Sequence, residues 1–344
     1  MMTTSRPADG PSAADPPAAS PLLEFKALTV DYRGPDRKPH RAVDNVSFSI
    51  GRGETVGLVG ESGSGKTTIG ATAVGLAPAA GGVIRFDGED ITRTSTARRR
   101  QLSARLQIIF QDPYSSLDPL RTVGRTLMEP LLLHRGNSRG EAGTGVSAML
   151  RRVGLDPSAA SRYPAAFSGG QRQRIAIARA LMVSPELVIC DEAVSALDLS
   201  VQAQVLNLLL GLQEEYRISY LFISHDLSVV RHMSDRIVVL YRGQTMEIGD
   251  SESVHDHPSH PYTQALLSAS PIPSPRAQAR QRERLKLALR PSRPAATTAF
   301  CRFASRCPFA TEICEQQAPA LVPGPTGADV ACHHVAEAVA RATV

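Results

Sequence analysis

Gly60-Glu61-Ser62-Gly63-Ser64-Gly65-Lys66-Thr67 lies between a short apolar run, Thr55 to Val59, and a second apolar-rich stretch, Ile69 to Leu76. The run predicts a buried strand and the stretch a helix, so the eight residues form a strand-to-helix loop. That order suits a polyphosphate. Glycines at 60, 63 and 65 let backbone amides approach phosphate oxygens, and the helix N-terminus adds favourable partial charge. Lys66 would reach the β and γ phosphates and Thr67 would ligate Mg²⁺, with Ser62, Ser64 and Thr68 completing the cradle.

Working outward, a second apolar strand, Leu187 to Cys190, ends in Asp191-Glu192. Carboxylates at the carboxyl end of a buried parallel strand face the ligand crevice. Asp191 would hold the hydrated Mg²⁺, and Glu192 is the candidate general base or water-orienting group for attack on the γ-phosphate. Cys190 reads as a small core residue. A further strand, Leu221 to Ser224, ends in His225-Asp226 after one intervening helix, Val201 to about Tyr216. In a doubly wound sheet that strand opens onto the same crevice. The apolar segment Leu106 to Phe110 ends at Gln111, and Asp112-Pro113 breaks the chain there.

Beyond Pro113, Leu127 to Leu133 and Val146 to Val153 predict helices separated by the Gly-rich stretch Gly136 to Gly145, which suits a small helical insertion ending at Phe167. Ser168-Gly169-Gly170-Gln171, about 100 residues after the phosphate loop, opens a periodic helix reaching about Met182, with Ile175, Ile177, Ala178 and Leu181 apolar. A serine and two glycines at a helix start make a second anion site. One chain then carries two phosphate-binding ends for one nucleotide.

The phosphate loop, the string Ser168-Gly169-Gly170-Gln171-Arg172-Gln173-Arg174, Asp191-Glu192 and His225, in this order, resemble the ATP-binding cassette (ABC) family over roughly Leu22 to Gly249. The resemblance implies an α/β fold: a P-loop NTPase core of RecA-like type, an antiparallel β subdomain, an α-helical subdomain, and here a small Cys-containing C-terminal extension. It implies ATP and Mg²⁺ as cofactors. It also implies head-to-tail pairing of two cassettes, the Ser168 helix of one capping the γ-phosphate held by the loop of the other. On that pattern His225 senses the γ-phosphate. Gln111 contacts Mg²⁺ and the attacking water, while the segment after it meets a membrane subunit. Tyr32, in the extended segment Leu28 to Tyr32, lies against adenine. Ser195-Ala196-Leu197-Asp198 crosses the dimer interface, and Asp198 can at the same time cap the helix beginning near Ser200. The chain departs from the commonest pattern at Phe167, where leucine is usual, and at Ala193, where proline is usual. Neither position carries chemistry, so the site is expected to hydrolyse ATP.

His257-Pro258-Ser259-His260-Pro261-Tyr262-Thr263-Gln264-Ala265-Leu266-Leu267 resembles the extension of ATPases of oligopeptide, dipeptide and nickel importers. By itself the string reads as a Pro-capped helix packed on the core. Residues 270–298 are Pro- and Arg-rich and read as a linker. Four cysteines follow: five residues separate Cys301 from Cys307, six Cys307 from Cys314 and seventeen Cys314 from Cys332. Such gaps allow the thiolates to converge, and a Cys₄ set suits zinc or an iron-sulfur cluster. No pair has the knuckle of about two to four residues typical of zinc ribbons, which favours iron and sulfur. The resemblance points the same way, to a [4Fe-4S] cluster, with zinc and unmetallated thiols as alternatives.

Across 344 residues, 42% hydrophobic content is ample for a packed core. No apolar run approaches the ~20 residues needed to cross a bilayer, and the start of the chain lacks a secretory pattern. Residues 1–21, rich in Pro, Ala and Ser, are too poor in large apolar groups to offset their ordering entropy and are expected to be disordered. The net charge of +5 does not argue for nucleic acid, because the basic residues are scattered and aromatics amount to only 5%. A reducing compartment disfavours disulfides. The expected organisation is a tail (1–21), an ABC ATPase domain (22–265, its helical subdomain about 113–182) and the extension (266–344). The expected function is the ATP-binding and ATP-hydrolysing subunit of an importer for oligopeptides or dipeptides, peripheral on the cytoplasmic face of the membrane. Its partners would be two permease subunits, a second ATPase subunit and an extracytoplasmic solute-binding protein, and no nucleic acid. Alternatives are the ATPase of a nickel or other small-solute importer, or a non-transport ABC ATPase of a phosphonate-degrading complex.

Overall fold

The computed structural model describes residues 20–33, 39–112, 116–269 and 300–342. The expected linker 270–298, most of the expected disordered tail and Pro113 lie outside the described residues. In chain order the strands are β1 (Leu23–Arg33), β2 (Pro39–Ile50), β3 (Thr55–Val59), β4 (Gly81–Phe86), β5 (Glu89–Asp90), β6 (Leu106–Ile109), β7 (Leu187–Asp191), β8 (Ser219–Ser224), β9 (Arg236–Tyr241), β10 (Gln244–Asp250), β11 (Val322–Pro323) and β12 (Asp329–Val330). The helices that matter here are α1 (Lys66–Ala73), α2 (Thr96–Leu102), α3 (Val123–His134), α4 (Arg139–Arg152), α5 (Gly169–Leu181), α6 (Leu199–Tyr216), α7 (Leu227–Met233), α8 (Ser251–Asp256) and α9 (Pro261–Ala269).

Two sheets form. An antiparallel four-stranded sheet runs β2-β1-β4-β5, and an eight-stranded sheet runs β11-β12-β10-β9-β3-β8-β7-β6. Within the larger one, β9, β3, β8, β7 and β6 are parallel. Successive side chains of a strand point to opposite faces, and here they divide between two cores. Val56, Leu58, Leu187, Ile189, Leu221 and Ile223 join the core shared with the antiparallel sheet. Val59, Val188, Cys190, Tyr220 and Phe222 join the core packed by the helices. Burial on both faces explains why these strands read as unbroken apolar runs.

Register aligns the strand ends. Val59 pairs with Ser224, Asp191 with Ile223, and Ile109 with Cys190. The segments carrying Gly60, Glu192, His225 and Gln111 therefore leave the sheet at one edge, the carboxyl edge, where a doubly wound sheet binds ligands.

Two sequence expectations change. The Gly-rich stretch Gly136 to Gly145 is not a spacer between helices, because α4 begins at Arg139 and contains Gly140, Gly143 and Gly145. Ser138 and Glu141 form a capping box there: Ser138 Oγ accepts from Glu141 N at 3.3 Å and Glu141 Oε2 accepts from Ser138 N at 2.8 Å. The cap starts the helix despite glycines that each cost about 1 kcal/mol relative to alanine. The tail, for its part, does more than pack as a helix. Strand β12 pairs with β10 through Glu247 opposite Val330 and Ile248 opposite Asp329, so the extension lengthens the main sheet.

Candidate nucleotide site

The phosphate loop is fixed by close backbone contacts. Gly65 has φ of +101°, and a Cβ there would stand 2.5 Å from the Ala42 carbonyl oxygen. A Cβ on Gly60 would stand 2.1 Å from the Leu240 carbonyl oxygen. Glycine is required at both points by space as well as by torsion. Lys66 lies buried beneath the loop, its Nζ donating to the carbonyls of Gly60 at 2.8 Å and Glu61 at 3.1 Å. An ammonium has three donors, so one remains for a phosphate oxygen. Burial pulls the Lys66 pKa down, while the Glu192 and Asp191 carboxylates act to hold it up.

Thr67 Oγ1 donates to Asp191 Oδ1 at 2.9 Å, joining the first turn of α1 to the end of β7. Burial pushes the Asp191 carboxyl above its usual range, opposed by the Thr67 hydroxyl. A buried carboxylate raised in this way gains from a cation beside it. Ser64 Oγ is buried with no hydrogen-bond partner among the described residues. An orphaned hydroxyl inside a phosphate cradle and a buried carboxylate beside a hydroxyl both fit a bound Mg²⁺-nucleotide.

Glu192 follows Asp191 in the left-handed region, φ +47°, with its N–H donating to Ile223 O at 3.0 Å. A non-glycine residue there costs about 1–3 kcal/mol and persists when its surroundings fix it. The turn aims the carboxylate at two partners. Gln111 Nε2 donates to Glu192 Oε2 at 3.1 Å, and His225 Nδ1 lies 3.4 Å from the same oxygen. Gln111 also reaches Ser195 Oγ at 3.4 Å. A carboxylate, an amide and an imidazole thus converge beyond the phosphate loop, a set able to orient and deprotonate a water.

The other candidates stand elsewhere. Ser168 caps α5, its Oγ accepting from Gln171 N at 3.4 Å while Gln171 Oε1 accepts from Ser168 N at 3.1 Å. Gly170 lies so close to α6 that a Cβ would sit 2.3 Å from Val201 Cγ1. Asp198 caps α6, accepting from Val201 N at 3.0 Å and Ser200 Oγ at 2.8 Å. Tyr32 is the penultimate residue of β1, with 41% of its surface exposed. Sequence reasoning passed over Glu61, whose partners Tyr262 and Arg306 lie 201 and 245 residues away. No local pattern could signal contacts of that span.

The four tail cysteines are free thiols, three of them buried. They lie within electrostatic reach of one another, and burial pushes Cys307 up to about 12 and Cys332 up to about 11. Cys301 N donates to Cys314 O at 3.0 Å. Yet no group of three or more His, Cys, Asp or Glu among the described residues is placed to hold a metal ion. The expected iron-sulfur or zinc centre therefore finds no support in this arrangement.

The fold and site define a class, the P-loop ATPase of cassette type. The family described as ABC transporter matches residues 43–195, and the one described as oligopeptide/dipeptide transporter, C-terminal region, matches residues 246–314. The oligopeptide transport ATP-binding protein AppF of Bacillus subtilis is 49% identical over 85% of this chain and 89% of its own length. Among solved structures, the ATP-binding cassette MJ0796, a dimer bound to ADP and phosphate in a post-hydrolysis state, superposes with a TM-score of 0.62 at 28% identity, covering 67% of this chain and 99% of that one. The cassette cbiO1 of Clostridium perfringens, part of the transporter complex cbiONQ, gives 0.61 at 26% identity, covering 68% and 90%. This chain belongs to the ABC transporter ATP-binding proteins, and it is an ATPase of that family.

Proposed function

We propose that this chain hydrolyses ATP to drive uptake of oligopeptides or dipeptides through a membrane importer. The convergence of Lys66, Thr67, Asp191, Glu192, Gln111 and His225 at one sheet edge carries the catalytic part of this reading. The match of the tail to the oligopeptide/dipeptide transporter C-terminal region supports the peptide part. Residues 22–265 form the ATPase unit, with its helical portion at about 113–182, and residues 266–344 form the extension.

Gly60 to Thr68 hold the phosphates and Tyr32 stacks on the base. Thr67, Gln111 and Asp191 would hold Mg²⁺, which would supply charge neutralisation at the phosphates. Glu192 takes the proton of the attacking water, and Gln111 and His225 fix that water and the carboxylate in place. Gly169 and Gly170, in the first turn of α5, present their N–H groups to the γ-phosphate of a facing subunit together with the Ser168 hydroxyl, and Gln171 keeps Ser168 in its capping geometry. Asp198 holds the loop that crosses between subunits. The chain's contribution is positioning and charge stabilisation, the terms that dominate phosphoryl transfer.

None of the described helices is long and apolar enough to cross a membrane, so translocation requires permease subunits. A groove of about 240 Å³, where Val74, Leu76, Leu102 and Phe110 mix with Arg99 and Gln107, lies just before Gln111 and offers a permease a contact surface. Leu76 is 65% exposed at its rim. The chain then sits peripherally on the cytoplasmic face, with a second cassette opposite and a solute-binding protein across the membrane.

The test is reconstitution with the permeases and binding protein in lipid vesicles. ATP-driven accumulation of labelled di- or oligopeptide supports the proposal. ATPase activity stimulated by a nickel chelate and not by peptide, or purification with soluble enzymes in place of permeases, would contradict it.

A further inference from the structure

Glu61, second residue of the phosphate loop, is held at three points. Its N–H donates to Tyr262 Oη at 2.9 Å. Both its carboxylate oxygens accept from Arg306 Nη1, each at 2.9 Å. Its carbonyl accepts from Lys66 Nζ at 3.1 Å and from Ser64 N at 3.1 Å. One of these holds comes from the start of α9, one from the extension, and the third is the loop lysine itself.

The groups that hold Glu61 are packed against an aromatic cluster. Tyr262 is 1% exposed at the start of α9, with its ring 4.6 Å from that of Tyr241 and 5.5 Å from that of Phe303. The Arg306 guanidinium lies 5.8 Å from both the Tyr241 and Phe303 ring centres. Tyr241 ends β9, directly after Leu240, whose carbonyl abuts Gly60. Arg302 pins the same tail segment, donating to Arg242 O at 2.6 Å and Asp44 Oδ2 at 2.7 Å. The tail thus forms a floor under the first half of the phosphate loop. Around Gly63, in contrast, nothing lies within 4 Å of a hypothetical Cβ, so the tip is unsupported.

We propose that Tyr262 and Arg306 are positioning residues of the nucleotide site: acting through Glu61, they fix the loop peptide that carries Lys66 and so set the affinity for the ATP phosphates. This rests on the nucleotide-site reading above. The physical reason is preorganisation. A loop already held in its binding conformation spends less of its contact energy on ordering when phosphate arrives. The Glu61 amide is committed to Tyr262 and so is unavailable to the ligand, which assigns that residue to scaffolding. Because the contacts span 201 and 245 residues, the nucleotide site is complete only when the tail is docked.

The experiment uses the full chain and a fluorescent ATP analogue with Mg²⁺. Tyr262→Phe and Arg306→Gln are each expected to raise its Kd roughly 3- to 10-fold. KM for ATP should rise in parallel while kcat at saturating ATP stays within about twofold, as expected for lost ground-state binding. Glu61→Gln should give the same shift as Arg306→Gln, and the double variant no more than either single, because all three lose one ion pair. Arg306→Lys should recover part of the affinity, and the exchanged pair Glu61→Arg with Arg306→Glu should bind more tightly than either change alone. Wild-type Kd in the single variants, or fully additive losses in the Glu61/Arg306 cycle, would overturn the inference. A wild-type chain that fails to bind the analogue would instead overturn the nucleotide-site reading, so the two failures are distinguishable.

Discussion

Thr67 Oγ1 and Asp191 Oδ1 meet at 2.9 Å across 124 residues of sequence, tying the helix after the phosphate loop to the strand that delivers the carboxylates. The pair places a hydroxyl and a buried carboxylate where a Mg²⁺-nucleotide would need oxygen ligands. Asp191→Asn keeps the shape and removes the charge. It is expected to weaken Mg²⁺ binding at least roughly 10- to 100-fold, the range seen when even outer-sphere carboxylates are lost. Isothermal titration with Mg²⁺-ATP and with metal-free ATP checks this: affinity should fall with the metal present and change little without it.

Gly170 tests the packing of the capping helix. A methyl group there would collide with Val201 Cγ1 at 2.3 Å, so Gly170→Ala must push α5 away from α6. Overpacking of this kind costs about 1–3 kcal/mol. Denaturant unfolding should show that loss, and ATP turnover in the assembled transporter should fall with it. Adding Val201→Ala removes the offending methyl groups and should restore both.

His260 gives the tail a pH dependence. It is 1% exposed, its Nδ1 accepts from Tyr262 N at 2.9 Å, and burial pushes its pKa from 6.5 down to about 3. Below the unfolded value the unfolded chain takes up a proton that the fold refuses, so stability is complete above that value and declines as pH falls toward the folded one. The loss from this group is about 1.4 kcal/mol between pH ~7.5 and ~5.5. Chemical denaturation across that range should show it in the wild type, and His260→Gln should flatten the slope.

Much of the site was legible in the sequence because its elements are local. Thr55 to Val59, Leu187 to Asp191 and Ser219 to Ser224 are buried on both faces, so each announces itself as an apolar-rich run that stops at a glycine or a polar residue. Those terminal residues, Gly60, Asp191-Glu192 and His225, are the ones the register brings to one edge. What stayed hidden depends on pairing between distant segments. Strand β12 has two residues and no periodicity of its own, and forms by pairing between β10 and β11. The hold of Arg306 and Tyr262 on Glu61 is likewise a product of tail docking. Helix α4 was obscured for the opposite reason: its glycines argued for a loop, and the Ser138–Glu141 capping box outweighed them.

The most direct test of the account is ATP turnover by Glu192→Gln in the assembled transporter. Glu192 shares its Oε2 with Gln111 at 3.1 Å and His225 at 3.4 Å, and the amide keeps the size of the side chain while removing its basicity. The account predicts that hydrolysis falls by at least about 100-fold, the scale of losing a positioned general base, with ATP retained in a closed pair of cassettes. Turnover at the wild-type rate would contradict it.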